Sequence, residues 1–325
     1  MRRRALLAGL LAFPAAWATG QGAAKVSRIA YISMAPAGAD RHWMQALREG
    51  LRDHGYLEGR NLVIDERHAN NDAAKGDALL RELLASRPAV LVVYGSALMP
   101  AIKMVNTDVP VVMTVHADPV GSGVVRSLAR PGGNITGLTD GHADLAPKRL
   151  DLLRELVPAL KKAGVLFNPA STHSARQWKL VEQAGRGLKI EVVPVHIGGP
   201  RDAEQAFETV RQQRLEGLVF APDPTWWVGQ EKRIAGLAIA RRIPTVGSVR
   251  EFAEHGILLA YGTNFAHLWR KAATYVDRIL KGAKPGDLAI EHPNRFELVV
   301  NAKTAKAIGV QVPRAVLARA DHVIE

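Results

Sequence analysis

Two residues at the end of one apolar run have side chains that can transfer protons. The run Val109–Val115 is followed by His116, and Asp118 stands two residues further on. An imidazole beside a carboxylate can work as a general acid–base pair, so one interpretation is a small-molecule hydrolase or lyase that uses His116 and Asp118. The other is that His116 touches a bound ligand without reacting with it.

Small polar residues follow the other apolar runs in the same way. With Trp226 and Arg250 added, they form a set of candidate ligand contacts: Ser33, Gly95, Ser96, Thr139, Asn168, Asp223, Trp226 and Arg250. The hydroxyls of Ser33, Ser96 and Thr139 could donate to a carboxylate. Backbone N–H groups at a helix start near Gly95 could do the same.

Motifs for other chemistries are absent or incomplete. The stretch 132–139 has the glycine spacing of a phosphate-binding loop, but Leu138 stands where the lysine is needed and a strand rather than a helix should follow. There is no dinucleotide fingerprint, no nucleophile elbow and no His-Glu-x-x-His helix. The 11 histidines show no ligand spacing. We therefore expect no cofactor and no metal.

The elements that must position these residues alternate along the chain. Short runs that are apolar throughout, such as Ala89–Tyr94 and Gly217–Ala221, are separated by amphipathic helical stretches. Strands of this kind belong to parallel sheets that are covered on both faces. The pattern runs to about residue 140 and then restarts. This predicts an α/β protein with two doubly wound parallel-sheet lobes and a central cleft, with an eight-fold barrel as the alternative.

The N-terminus has the three-part layout of a secretory signal peptide. Three arginines at 2–4 precede an apolar stretch, and Ala16-Trp17-Ala18 fits the cleavage rule. We predict that residues 1–18 are removed, which would lower the net charge from +12 to +9 because three arginines and no acidic residue are lost. The chain has no cysteine, so a lipid anchor through an acylated cysteine is not expected. The mature chain is therefore expected to be exported.

The basic residues of the chain do not cluster into a surface that would bind nucleic acid. The doublets Lys161-Lys162 and Arg241-Arg242 are isolated, and other basic residues alternate with acidic ones along helices. This is the pattern of a solvated surface. We expect no nucleic-acid partner.

From Arg28 to Glu325 the sequence resembles the substrate-binding proteins of ABC importers, in the branch with a type I periplasmic-binding fold. Several stretches carry this resemblance: Arg48–Leu51, Gly55–Asn61, Asp118–Gly123, Arg130–Gly137, Tyr261-Gly262, Ala273–Gly282, Asn301–Gly309 and Arg319–Asp321. Some relatives are associated with aromatic amino acids. The resemblance implies a binding protein rather than an enzyme, and a periplasmic location.

The family implies two lobes joined by crossover segments around a cleft. We expect an N-terminal lobe of residues 27–144 plus 262–288 and a C-terminal lobe of residues 145–261 plus 289–325. Ligand binding between them would close a hinge. The implied partners are a small-molecule ligand (an amino acid, aromatic acid or small carboxylate) and the permease and ATPase subunits of the importer. A monomer is expected, and a ligand sensor feeding a receptor is the alternative.

The second lobe contributes candidates whose roles rest on this resemblance. Asp223 stands where relatives often have an acidic residue that could pair with an amino group, although this sequence reads Asp223-Pro224 in place of the common Asp-Asn. Trp226 or Trp227 could stack on a ring, and one of them could instead pack under the next helix. Arg250 is a further candidate, with an ordinary surface pair as its alternative.

Overall fold

The computed structural model describes residues 26–105 and 108–325. The predicted signal peptide lies outside these residues. Within them, no helix is both long and apolar enough to cross a lipid bilayer.

The first half of the chain builds a five-stranded parallel sheet in the order β2-β1-β3-β4-β5. Alternate residues of its strands point to opposite faces. Ile29 and Val92 pack under one pair of helices, and Ala30 and Val93 under another. Both faces are therefore buried, as continuous apolar runs require. The strands are β1 (Ser27–Ser33), β2 (Leu62–His68), β3 (Val90–Tyr94), β4 (Val111–His116) and β5 (Ile135–Thr139).

The second sheet has seven strands in the order β12-β11-β10-β9-β8-β6-β7. Its pairings are parallel except that of β10 with β11, which is antiparallel. Two open sheets of mainly parallel strands confirm the predicted α/β fold class and exclude the barrel alternative. The strands are β6 (Lys162–Phe167), β7 (Glu191–His196), β8 (Gly217–Ala221), β9 (Thr245–Gly247), β10 (Leu259–Thr263), β11 (Phe296–Asn301) and β12 (His322–Ile324).

Helices cover both sheets. They are α1 (Arg41–Asp53), α2 (Ala73–Ala85), α3 (Met99–Val105), α4 (His142–Leu156), α5 (Thr172–Leu188), α6 (Ala203–Gln212), α7 (Pro224–Trp227), α8 (Glu231–Ala240), α9 (Arg250–Glu254), α10 (Phe265–Leu280), α11 (Ala302–Ile308) and α12 (Arg314–Leu317). Helix α10 follows β10 of the second sheet but packs on α1 and the first sheet. The close approach of α1 to α10 depends on Gly50, since a Cβ there would lie 2.5 Å from the Arg270 carbonyl oxygen.

The chain passes between the two sheets three times, and the three segments lie side by side. The first segment follows β5, the second follows β10, and the third precedes β11. The Thr139 amide donates to the Glu291 carbonyl over 3.0 Å, which joins the first segment to the third. The Thr263 hydroxyl donates to the Asp140 carbonyl over 2.6 Å, which joins the second to the first. The predicted lobe boundaries fall in or near these segments and stay predictions.

A fully buried arginine holds the crossover region to the second sheet. Arg149 on α4 donates from Nε to the Tyr261 carbonyl over 2.9 Å, and from Nη1 to the His142 carbonyl (3.3 Å) and Gln177 Oε1 (3.1 Å). Burial lowers the pKa of Arg149 to about 9, against the attraction of the Asp140 carboxylate, so the guanidinium stays charged at neutral pH. One side chain thus links β10, α5 and the first crossover.

We expect Gly137→Ala to destabilise the first sheet. Gly137 has a φ of +137°, and a Cβ there would lie 2.2 Å from the Met113 carbonyl oxygen on β4. The strain should lower the free energy of unfolding by about 1–3 kcal/mol in urea titrations. Gly187→Ala is the matched control, because Gly187 lies on α5 with open space around it and should gain about 0.5–1 kcal/mol. Equal effects of the two substitutions would contradict this account.

Arg149→Met should be much more damaging than removal of a surface arginine. The substitution leaves the buried acceptors without donors and the Asp140 carboxylate without its countercharge, so the free energy of unfolding should fall by about 3–5 kcal/mol. Arg186→Met is the control, since Arg186 is exposed and pairs with Glu182 one helical turn away. Its effect should stay within about 0.5 kcal/mol. Unfolding in urea, monitored by tryptophan fluorescence, measures the stability of both variants. A comparable loss of stability in both would argue against a structural role for Arg149.

Candidate ligand-binding cleft

A cavity of about 850 Å³ lies between the two sheets. Its first wall comes from segments after β3 and β4, and its second from segments after β6 and β8, all at the carboxyl ends of parallel strands. Residues of the crossover region close the side between the two walls: Asp140, His142 and Phe265. This is the position at which open α/β sheets bind ligands.

Aromatic side chains line one part of the cavity. Tyr94 ends β3, Trp227 ends α7, and Phe265 begins α10. Behind them Trp43 packs against all three, with ring centroids 5.3–6.2 Å away. Burial raises the pKa of Tyr94 well above its usual value, so its phenol stays neutral. This rigid aromatic surface suits a planar or apolar group of a ligand.

A polar cluster lines the crossover side of the cavity. The Asp140 carboxylate accepts the His142 amide over 2.9 Å, and its Oδ2 lies 3.4 Å from His173 Nε2 and 4.0 Å from His142 Nδ1. Burial lowers the pKa of His142 to about 3, so its imidazole is neutral. Burial opposes ionisation of Asp140, but the facing His173 and His142 and the amide bond lower its pKa below the ordinary value. The cluster combines a carboxylate with a neutral imidazole.

Charged residues bridge the two walls at the edge of the cavity. Asp118, from the loop after β4, accepts the Gly121 amide over 2.7 Å and lies 3.3 Å from Arg176 Nη1 on α5. Arg176 also lies 3.8 Å from Asp144. Beside the aromatic surface, Trp43 Nε1 of α1 donates to Glu251 Oε1 of α9 over 2.7 Å. These pairs join helices and loops of the first sheet to helices of the second.

The structure places six of the ten candidate residues from the sequence on the cavity: Gly95, Ser96, His116, Asp118, Asn168 and Asp223. His116 and Asp118 do not form the arrangement that the acid–base interpretation needs. His116 Nδ1 accepts the Asp118 backbone amide over 3.1 Å, while the Asp118 carboxylate is directed to Gly121 and Arg176. Burial lowers the pKa of His116 to about 4. The geometry thus favours a neutral contact residue over a carboxylate-oriented base.

Two of the other four candidates are hydroxyl residues that are used inside the fold. Ser33 is fully buried, and its Oγ accepts the Ala35 amide over 3.0 Å. Thr139 is 1% exposed, and its hydroxyl lies 2.9 Å from His292 Nδ1 in the third crossover segment. Neither residue is among those that line the cavity, and the contact of their hydroxyls with a ligand stays a prediction.

Trp226 and Arg250 are also directed away from the cavity. Trp226 is fully buried against Phe220 and Phe252, so it is the packed member of its pair, and Trp227 lines the cavity. Helix α7 turns consecutive side chains in different directions, which the sequence alone does not resolve. Arg250 donates to Glu254 over 2.6 Å on its own helix, which agrees with the surface-pair alternative.

The cavity residues that sequence reasoning did not select as ligand contacts include Asp140, His142, His173 and Arg176. A signal was present for the first two, since Asp140 and His142 directly follow the predicted strand end at Thr139. His173 lies in the first turn of α5 and Arg176 follows three residues later, where the sequence shows only an ordinary polar face. Their approach to the cluster depends on how α5 packs against α4.

Solved structures with the same fold include proteins from three bacteria. A conserved domain protein from Vibrio cholerae is 27% identical, with a TM-score of 0.85 over 92% of this chain and 100% of that one. A domain from Streptococcus pneumoniae in complex with L-Trp is 22% identical, with a TM-score of 0.84 over 92% and 100% of the two chains. The ligand-free, open structure of a Clostridium difficile substrate-binding protein with adhesive properties is 22% identical, with a TM-score of 0.69 over 92% and 99%.

Sequence comparison gives the same relationship. A tyrosine-binding protein of Clostridioides difficile strain R20291 is 26% identical over 263 residues, which are 81% of this chain and 75% of that protein. The family model for "ABC transporter substrate binding protein" matches residues 29–324. Because that match covers nearly the whole chain, the protein belongs to the family of ABC transporter substrate-binding proteins.

Proposed function

We propose that this protein captures an aromatic amino acid, or a closely related small molecule, between its two lobes and delivers it to the permease of an ABC importer. The observation that carries this proposal is the cavity at the carboxyl ends of both sheets, which combines an aromatic surface with acidic groups. A pocket of this size and lining suits a small molecule with a ring and a few polar groups.

The aromatic and the polar residues of the cavity indicate which chemical groups the ligand carries. Tyr94, Trp227 and Phe265 would contact the ring of the ligand. Asp223, at the end of β8, would pair with its ammonium group, and the turn at Gly95-Ser96 would offer backbone N–H groups to its carboxylate. The names of two relatives support this class of ligand, since one is a tyrosine-binding protein and another was solved with L-Trp.

Closure of the lobes would couple binding to delivery. A ligand that contacts both walls stabilises only the conformation in which they approach each other, so its binding energy shifts a hinge equilibrium. The Asp118–Arg176 and Trp43–Glu251 pairs join the two sides in the present arrangement. The three crossover segments would serve as the hinge.

The remaining parts of the proposal concern the cell. The protein would be exported by its N-terminal signal peptide and would act in the periplasm as a monomer without a lipid anchor. These properties fit a protein that binds a solute and carries it to the permease. The second candidate function is ligand sensing, in which a receptor instead of a permease recognises the closed, ligand-bound protein. Genes for a permease and an ATPase beside this one would favour import over sensing.

Amino acids with aromatic side chains should raise the melting temperature of the purified protein. A ligand at about 100 times its dissociation constant adds about 2.7 kcal/mol to the free energy of unfolding. We expect L-tryptophan, L-tyrosine or L-phenylalanine to give this effect in a thermal-shift screen, and aliphatic amino acids and sugars to give none. A shift produced by sugars but by no amino acid would overturn the proposed ligand class.

Asp223→Asn should weaken binding of amines selectively. Loss of a charge-assisted hydrogen bond costs about 1.5–3 kcal/mol, so the dissociation constant of an amine-bearing ligand should rise about 10- to 150-fold by titration calorimetry. The corresponding acid that lacks the amino group should bind both proteins alike. Asp77→Asn is the control, since Asp77 pairs with Arg81 on α2. An unchanged or tighter amine affinity in the Asp223 variant would show that this carboxylate does not hold the ammonium group.

A further inference from the structure

Three donor atoms converge at the crossover side of the cavity. Asp140 follows β5, His142 begins α4, and His173 lies in the first turn of α5. One oxygen or nitrogen from each lies within 4.8 Å of the other two. Each residue thus comes from a different local element, and the fold rather than a sequence motif brings them together.

The His142 imidazole is buried with neither ring nitrogen in a hydrogen bond to the described residues. It is 3% exposed and stacks on Phe265 with ring centroids 5.2 Å apart, and Nε2 has no hydrogen-bond partner within the described part of the chain. Nδ1 faces Asp140 Oδ2 at 4.0 Å, which is too long for a hydrogen bond. Nδ1 is therefore the nitrogen that an ion beside Asp140 would engage, with the imidazole hydrogen on Nε2. The same residue lines the cavity, so an ion from solution can reach it.

We propose that Asp140, His142 and His173 bind a divalent transition-metal ion such as Zn²⁺ in the wall of the cleft. Zinc bonds to imidazole nitrogen and carboxylate oxygen at about 2.0–2.2 Å, which places tetrahedral donors about 3.4 Å apart. The Asp140–His173 separation of 3.4 Å already meets this spacing, and the Asp140–His142 separation of 4.0 Å requires a small rotation of the imidazole. The ion would displace the Gln177 side-chain amide, whose Nε2 lies 3.0 Å from His173 Nε2. Three protein donors leave a fourth position open to the cavity.

The donor set selects the class of ion. Two imidazoles and one carboxylate favour zinc, copper, nickel or cobalt over magnesium and calcium, which prefer oxygen ligands. His116 is not part of the set, because its Nδ1 accepts the Asp118 amide and its hydrogen then lies on Nε2. The Arg149 guanidinium beneath His142 adds repulsion, which an anionic group at the open position would offset.

Metal titration of the full exported chain tests the proposal. Zn²⁺ followed by calorimetry, and Co²⁺ followed by its visible absorption, should each show one ion per chain. His173→Ala and His142→Ala should each weaken binding at least about 10-fold. His322→Ala removes an exposed imidazole on β12 and should leave the affinity unchanged. His173 is only partly buried, so its variant tests the site even where the His142 variant fails to fold.

Two results would overturn the proposal: no binding of Zn²⁺ or Co²⁺ to the wild-type chain, or binding that survives both histidine substitutions. Tighter binding of Ca²⁺ than of Zn²⁺ would likewise contradict the donor set. The inference stands apart from the proposed function, because these titrations contain no organic ligand. Amino-acid binding measured with a metal chelator present would then succeed or fail independently of the metal site.

Discussion

The charged guanidinium of Arg149 lies buried at the point where the chain passes between its two sheets. A charge in this position must have its hydrogen bonds and countercharge supplied by the protein, since the alternative costs several kcal/mol. The Tyr261 and His142 carbonyls and Gln177 accept hydrogen bonds from Nε and Nη1, Nη2 has no partner among the described residues, and Asp140 supplies the countercharge. The requirements of one side chain therefore fix the relative positions of β10, α5 and the first crossover. The polar wall of the cavity is a consequence of that arrangement.

The rest of the cleft follows from strand direction. In parallel sheets all carboxyl ends meet at one edge, so the residues that follow β3, β4, β6 and β8 come together although they are far apart in sequence. Continuous apolar strands and covering helices keep this edge rigid. Gly137 allows β5 to lie against β4 at Met113 next to that edge, where any side chain would collide with backbone. The positions of the cavity residues are thus set by packing outside the cavity.

Sequence patterns predicted the fold class because strands that are buried on both faces are apolar throughout, and these runs alternate with amphipathic helical stretches. They also predicted Gly95, Ser96, His116, Asp118, Asn168 and Asp223 as cavity residues, since the end of a strand can be read from the sequence. They do not show in which direction a side chain points. Ser33 and Thr139 end strands, but Ser33 accepts a hydrogen bond from Ala35 and Thr139 lies against His292. Of the adjacent Trp226 and Trp227, only Trp227 lines the cavity. His173 reaches the cavity through the packing of α5 on α4, which leaves no local trace.

The positive charge of the chain gives little information on the charge of its solute. Exposed charges are screened over about 8 Å at physiological ionic strength, so most lysines and arginines do not act inside the cleft. Within the cavity the basic groups are engaged, Arg176 by Asp118 and Lys103 by the Gly123 carbonyl. The acidic residues Asp140 and Asp223 also line the cavity. A cationic group therefore fits the interior of this basic protein, as an ammonium at Asp223 or a metal ion at Asp140. Because those two carboxylates come from different sheets, the two sites can be separated by mutation.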